Sequence, residues 1–120
     1  MQMQVNTDHN LAGDAAMAAR VRAAVERALS RFSARITRVE IHLSDENGNK
    51  SGSNDKRCVM EARLEAHRPV AVTHQTATVD EAVDGAAGKL ARLIESTLGR
   101  LRDQQSRKTG LPPPESDLTE

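Results

Sequence analysis

The 120-residue sequence contains one Phe and neither Trp nor Tyr. A core in this chain has to be assembled from Val, Ile, Leu, Met and Ala, and a nucleic acid bound to it is not held by stacked aromatic rings. Cysteine is almost absent too. Cys58 stands alone, which excludes an intramolecular disulfide and suits a reducing compartment. No apolar run approaches the length of a membrane span, and the opening MQMQVNTDHN has neither the basic nor the apolar segment of a secretory leader, so a cytoplasmic protein without membrane association is expected. Net charge is missing as well: 17 Lys and Arg balance 17 Asp and Glu, which argues against a strongly cationic nucleic-acid binder. The balance hides a local excess. Residues 111–120 hold three acids and no base, and between Arg20 and Arg35 there are five Arg and one Glu.

What is present is organised around Thr78 to Asp103. Val79, Val83, Ala86, Leu90, Ile94, Thr97 and Leu101 recur at spacings of three and four, an amphipathic helical stripe, and Thr78 with Glu81 fits the capping box that marks a helix start. At about 100° per residue, Lys89, Arg92 and Arg100 share one flank of the stripe and Asp80, Asp84 and Glu95 the other. Gly85, Gly88 and Gly99 are expected on the outward face, where each costs the helix about 1 kcal/mol relative to Ala and leaves backbone open to a close approach.

Ahead of this helix, residues 1–7 alternate Met1, Met3, Val5 against Gln2, Gln4, Asn6, as a half-buried strand does. Gly13-Asp14 offers a cap for a first helix with the stripe Met17, Val21, Ala24, Val25, Ala28, Leu29 and Phe32. Arg20, Arg27 and Arg31 line one flank of it with no acid alternating between them. Ile36 to Asp45 returns to period two with Val39, Ile41 and Leu43 inward. Residues 46–55, ENGNKSGSND, lack any apolar residue and predict a long mobile hairpin connection. Lys56 to His67 predicts a third strand with Cys58, Met60, Ala62, Leu64 and Ala66 inward, and Arg68-Pro69 a turn into a fourth at Val70 to Gln75.

The order β-α-β-β-β-α predicts an α+β two-layer sandwich, in which a four-stranded antiparallel sheet carries both helices on one face and charges on the other. Charges such as Arg38 or Glu40 are expected to pair across strands with Arg63 or Glu65. The domain is expected over residues 1–104 and a disordered tail over 105–120, where QSRKTGLPPPESDLTE loses all periodicity.

Nothing in the pattern indicates catalysis. Cys58 falls at an inward strand position and reads as a small core residue. His9, His42, His67 and His74 show no i,i+4 pair and no C-x-x-C companion, so no metal is expected, although His67 and His74 could face each other across the third turn. Asp80, Asp84 and Glu95 imply no cleft for acid–base work. Phosphate-binding loops and the G-x-S-x-G elbow are absent. No enzyme and no cofactor are expected.

Phe32-Ser-Ala-Arg35-Ile36-Thr-Arg-Val39-Glu-Ile-His-Leu43, followed by Ala82-Val83-Asp84-Gly85-Ala-Ala-Gly-Lys89-Leu90-Ala-Arg92, resembles the ribosome hibernation-promoting factor and ribosome-associated inhibitor family, also called sigma-54 modulation or S30EA proteins. The resemblance covers residues 1 to about 103 in element order. It implies a fold similar to a double-stranded RNA-binding domain. It also implies binding to RNA in the decoding region of the small ribosomal subunit, excluding tRNA and mRNA during stress or stationary phase, with no enzymatic activity, cofactor or small-molecule substrate. The family's basic positions on the second helix fall on Lys89 and Arg92. Helical geometry adds Arg100 on the same flank, and Arg20, Arg27, Arg31 and Arg35 on or near the first helix. The chain looks like a monomeric short form without the dimerisation domain of long members. Two functions therefore stand side by side: an RNA-binding regulator of translation, and a protein-interaction module on the same fold with weak or no ribosome binding.

Overall fold

The computed structural model describes residues 1–8, 11, 13–46 and 55–108. The elements are β1 (Gln2–Thr7), α1 (Ala15–Leu29), a 3-10 turn (Ser30–Phe32), β2 (Ile36–Asp45), β3 (Lys56–Leu64), β4 (Val70–Thr76) and α2 (Val79–Lys108). The strands form one sheet in the order β1-β2-β3-β4. The expected α+β sandwich is thus present, with one correction to the sheet: it is mixed, because β1 pairs parallel with β2 while β2, β3 and β4 are antiparallel. The physical reason is α1. A helix placed between two neighbouring strands carries the chain back to the starting end, so the second strand runs in the direction of the first.

Period two sets the buried face. Val39, Ile41 and Leu43 of β2 stand beside Ala62, Met60 and Cys58 of β3, and all six are buried. Met3 and Val5 of β1 register with Val39 and Ile41. Val21, Val25 and Leu29 of α1 and Val83, Leu90 and Ile94 of α2 close this face from above. Asp14 caps α1 as the sequence indicates, its carboxylate accepting from the Met17 amide at 2.8 Å.

Two boundaries move by more than one residue. β3 ends at Leu64, and Ala66, expected inward, is an exposed turn residue with φ 57°. α2 continues to Lys108, beyond the end of the apolar stripe. α2 thus takes in residues 105–108 of the tail expected over 105–120, while residues 109–120 and residues 47–54 of the polar connection lie outside the described residues; the connection's two ends meet where the Glu46 amide donates to the Asp55 carbonyl at 2.8 Å.

That meeting point buries charges that nothing in the polar run marks for burial. Asp45 and Asp55 are 7% and 4% exposed, and the Lys56 ammonium lies 3.4 Å and 3.0 Å from their carboxylates. The hydrogen bond to Asp55 raises the Lys56 pKa above its ordinary 10.5. Paired this way, the two buried carboxylates escape the cost of standing alone.

Cys58 is fully buried, and burial pushes its thiol from 9.0 up to about 12. An unfolded chain ionises the thiol from pH 9, whereas the folded one keeps the proton until about 12. This contribution to stability is therefore intact below pH 9 and lost as pH rises from there toward 12. A thiol reagent is expected to modify native Cys58 only as fast as the fold opens, and Cys58→Ala to flatten the fall in melting temperature above pH 9. Rapid stoichiometric modification of the native protein would contradict this.

Candidate nucleic-acid interface

The Thr78 hydroxyl accepts from the Glu81 amide at 3.1 Å and fixes the start of α2. Acids in the first turn, Asp80 and Glu81, suit the partial positive charge of a helix N-terminus. The buried arc is wider than the stripe of large residues, because Ala82, Ala87 and Ala91 extend it on both sides. One side of α2 packs on α1 and the other on β3 and β4. The two charged flanks therefore meet different neighbours.

The acid flank meets the arginine row of α1. Arg20 Nε lies 3.6 Å from Asp80 Oδ1, and Arg31 Nη2 lies 3.3 Å from Glu95 Oε1. Low numbers pair with low and high with high, so α1 and α2 run parallel. Between them lies a groove of about 300 Å³ lined by Arg20, Val21, Arg27, Asp80, Val83 and Asp84. This corrects the expectation that the carboxylates of α2 imply no cleft. The Arg31 guanidinium also covers the Phe32 ring at 4.6 Å. Arg35, past the end of the 3-10 turn, lies 3.9 Å from Glu65. Each pair is more than half exposed on at least one side, so each is worth about 0–1 kcal/mol and can be exchanged for another anion.

The basic flank faces the other way, over β4. Lys89 Nζ donates to the Thr73 carbonyl at 3.0 Å. Arg100 donates to Ser96 Oγ at 2.9 Å and to Thr97 Oγ1 at 3.4 Å. Arg92 is exposed and passes over Gly88, where its Nη1 would stand 3.7 Å from an added Cβ. None of the three has a carboxylate partner among the described residues. The seven candidate cations thus fall into two groups. Lys89, Arg92 and Arg100 have no compensating anion, whereas Arg20, Arg31 and Arg35 are ion-paired and Arg27 shares a groove with Asp80 and Asp84.

A Cβ at Gly88 or Gly99 would meet only the tip of an arginine of the same helix, Arg92 at 3.7 Å and Arg102 at 3.9 Å, as expected of outward positions. Gly85 does not. A Cβ there would lie 2.1 Å from the His74 ring, so the glycine serves packing between α2 and β4, and His74 is committed to that contact. Among the described residues no group of three His, Cys, Asp or Glu side chains could hold a metal. Cross-strand charge pairing on the open sheet face also fails. The register sets Arg38 opposite Arg63 and Glu40 opposite Glu61, like against like. Compensation runs along β2, where Arg38 Nε lies 3.0 Å from the Glu40 carboxylate, which His42 Nε2 also approaches at 3.4 Å; across to β1, Arg38 donates to Gln4.

A four-stranded mixed sheet under two parallel helices, with a run of uncompensated cations along the second, defines a two-layer α+β domain with a cationic edge. The chain belongs to the sigma 54 modulation protein / S30EA ribosomal protein family, whose model matches residues 5–102. The fold is shared with the Thermus thermophilus Protein Y N-terminal domain, at 20% identity and a TM-score of 0.65 over 81% of this chain and 99% of that one. It is shared also with a ribosomal subunit interface protein from Coxiella burnetii, at 15% identity and a TM-score of 0.62 over 82% of this chain and 99% of that one. No curated sequence matches the chain at a significant level. Among the described residues no helix is long and apolar enough to cross a membrane.

Proposed function

We propose that this protein is a non-enzymatic regulator of translation that binds RNA in the decoding region of the small ribosomal subunit and keeps tRNA and mRNA out during stress or stationary phase. Family membership supports a ribosomal role, and the name of the Coxiella relative, a ribosomal subunit interface protein, agrees with it. The observation that carries the reading is the basic flank of α2. Lys89, Arg92 and Arg100 point away from the acids of the same helix and are held by neutral oxygens or by none, so a phosphate that reaches them displaces no carboxylate. With no aromatic side chain on that flank, affinity comes from charge neutralisation and release of counterions. Acting on ribosomes places the protein in the cytoplasm, and neither a small-molecule substrate nor a cofactor enters this function.

Sedimentation of the full chain with purified small subunits across a salt series tests it. The protein is expected in the pellet at low salt, with log affinity falling linearly against log salt at a slope of about −0.7 to −0.9 for each phosphate neutralised. Absence from the pellet at every salt concentration would transfer the assignment to a protein-interaction module.

A further inference from the structure

Asp80 belongs to the first turn of α2, where the helix dipole accounts for an acid. Asp84 and Glu95 lie beyond that turn, and the dipole gives no reason for them. Together the three form one flank, and that flank faces the arginine row of α1. An RNA-binding domain gains nothing in affinity from carboxylates set against its own arginines. It gains discrimination, because a competitor has to break those pairs before it can use the row.

Resting on the ribosomal RNA reading, we propose that Asp80, Asp84 and Glu95 are specificity elements that stand in for phosphates and keep Arg20, Arg27 and Arg31 closed to RNA in general. The pairs are exposed and individually weak, so they yield to a rigid array of phosphates that engages Arg20 and Arg31 together. A mobile strand or an unrelated duplex meets the three carboxylates within a Debye length, about 8 Å at physiological salt, and docks on the α2 cations alone. The zero net charge of the chain is on this account part of the selectivity.

The test compares the full-length wild type with D80N/D84N/E95Q after circular dichroism and melting have shown both folded. Two probes are titrated over a salt series: purified small subunits, and a short duplex RNA of unrelated sequence. The triple variant is expected to gain affinity for the duplex by a larger factor than for the subunit, with the duplex salt slope steeper by about one unit for each arginine released. Adding Arg20→Ala and Arg31→Ala to the variant should cancel that gain. An unchanged duplex affinity, an equal gain on both probes, or a gain that survives loss of the two arginines would overturn the proposal. A wild type that binds no subunit would defeat the ribosomal reading instead, and the duplex arm would still report on the acid flank.

Discussion

Replacing Lys89 and Arg92 together by Ala is expected to abolish or strongly weaken binding to the small subunit, and inhibition of translation with it, while the circular dichroism spectrum and melting temperature hold. Both side chains are exposed, and exposed helix positions usually change stability by no more than about 0.5 kcal/mol. Lys89 does give up one hydrogen bond, to the Thr73 carbonyl, but that oxygen lies at the sheet edge where water can replace the ammonium. If the pair neutralises two phosphates, the slope of log affinity against log salt should become shallower by about two units. Arg63→Ala, on the opposite face of the sheet, is the control and should bind nearly as wild type. Equal loss from both variants would mean unspecific charge attraction, and full binding by the double variant would mean the contact lies elsewhere.

The second large effect is structural. Gly85→Ala removes a helix-interior glycine, which by propensity alone would stabilise α2 by about 1 kcal/mol. The new Cβ would however fall 2.1, 2.3 and 2.7 Å from three atoms of the His74 ring. Such overlap forces the ring off its rotamer or pushes α2 from β4, at a cost of about 1–3 kcal/mol. The clash outweighs the propensity gain, so Gly85→Ala is expected to melt several degrees lower than wild type. Adding His74→Ala should recover much of the loss, a coupling between contacting sites. Gly88→Ala, where only open space and the tip of Arg92 await the methyl group, is expected to melt at or above the wild-type temperature. A Gly85 variant as stable as the Gly88 variant would show that α2 does not sit on His74.

These two residues also mark how far the sequence could be read. Gly85 and Gly88 have the same composition, the same helix and almost the same distance from the apolar stripe. What separates them is a strand that approaches one and leaves the other, and that is settled by the assembly of elements. Local signals fared better. The limits of β2, the Asp14 cap and the Thr78 capping box were legible because each depends on residues within a few positions of one another. The direction of β1 was not, since period two is the same in a parallel and an antiparallel pair. Charges show the same divide. Helical spacing correctly separated the two flanks of α2, yet only the packing of α1 shows that one of them is already occupied by arginines. Burial of Asp45 and Asp55 was hidden for the same reason, since a polar run gives no sign that its two ends close on a lysine.

The crossover through α1 also bears on how the chain reaches its fold. β2, β3 and β4 join their neighbours in sequence, and α2 follows them directly, so this part closes over ten residues between β2 and β3, five between β3 and β4 and two before α2. β1 must wait for its partner across all of α1 and the 3-10 turn, from Thr7 to Ile36. Loop-closure entropy is larger for that ring than for the five residues between β3 and β4. On this ground the antiparallel strands with α2 are expected to form the nucleus, with the β1–α1 unit docking onto it late. In that order the arginine row of α1 would arrive last, on a scaffold whose acid flank is already in place.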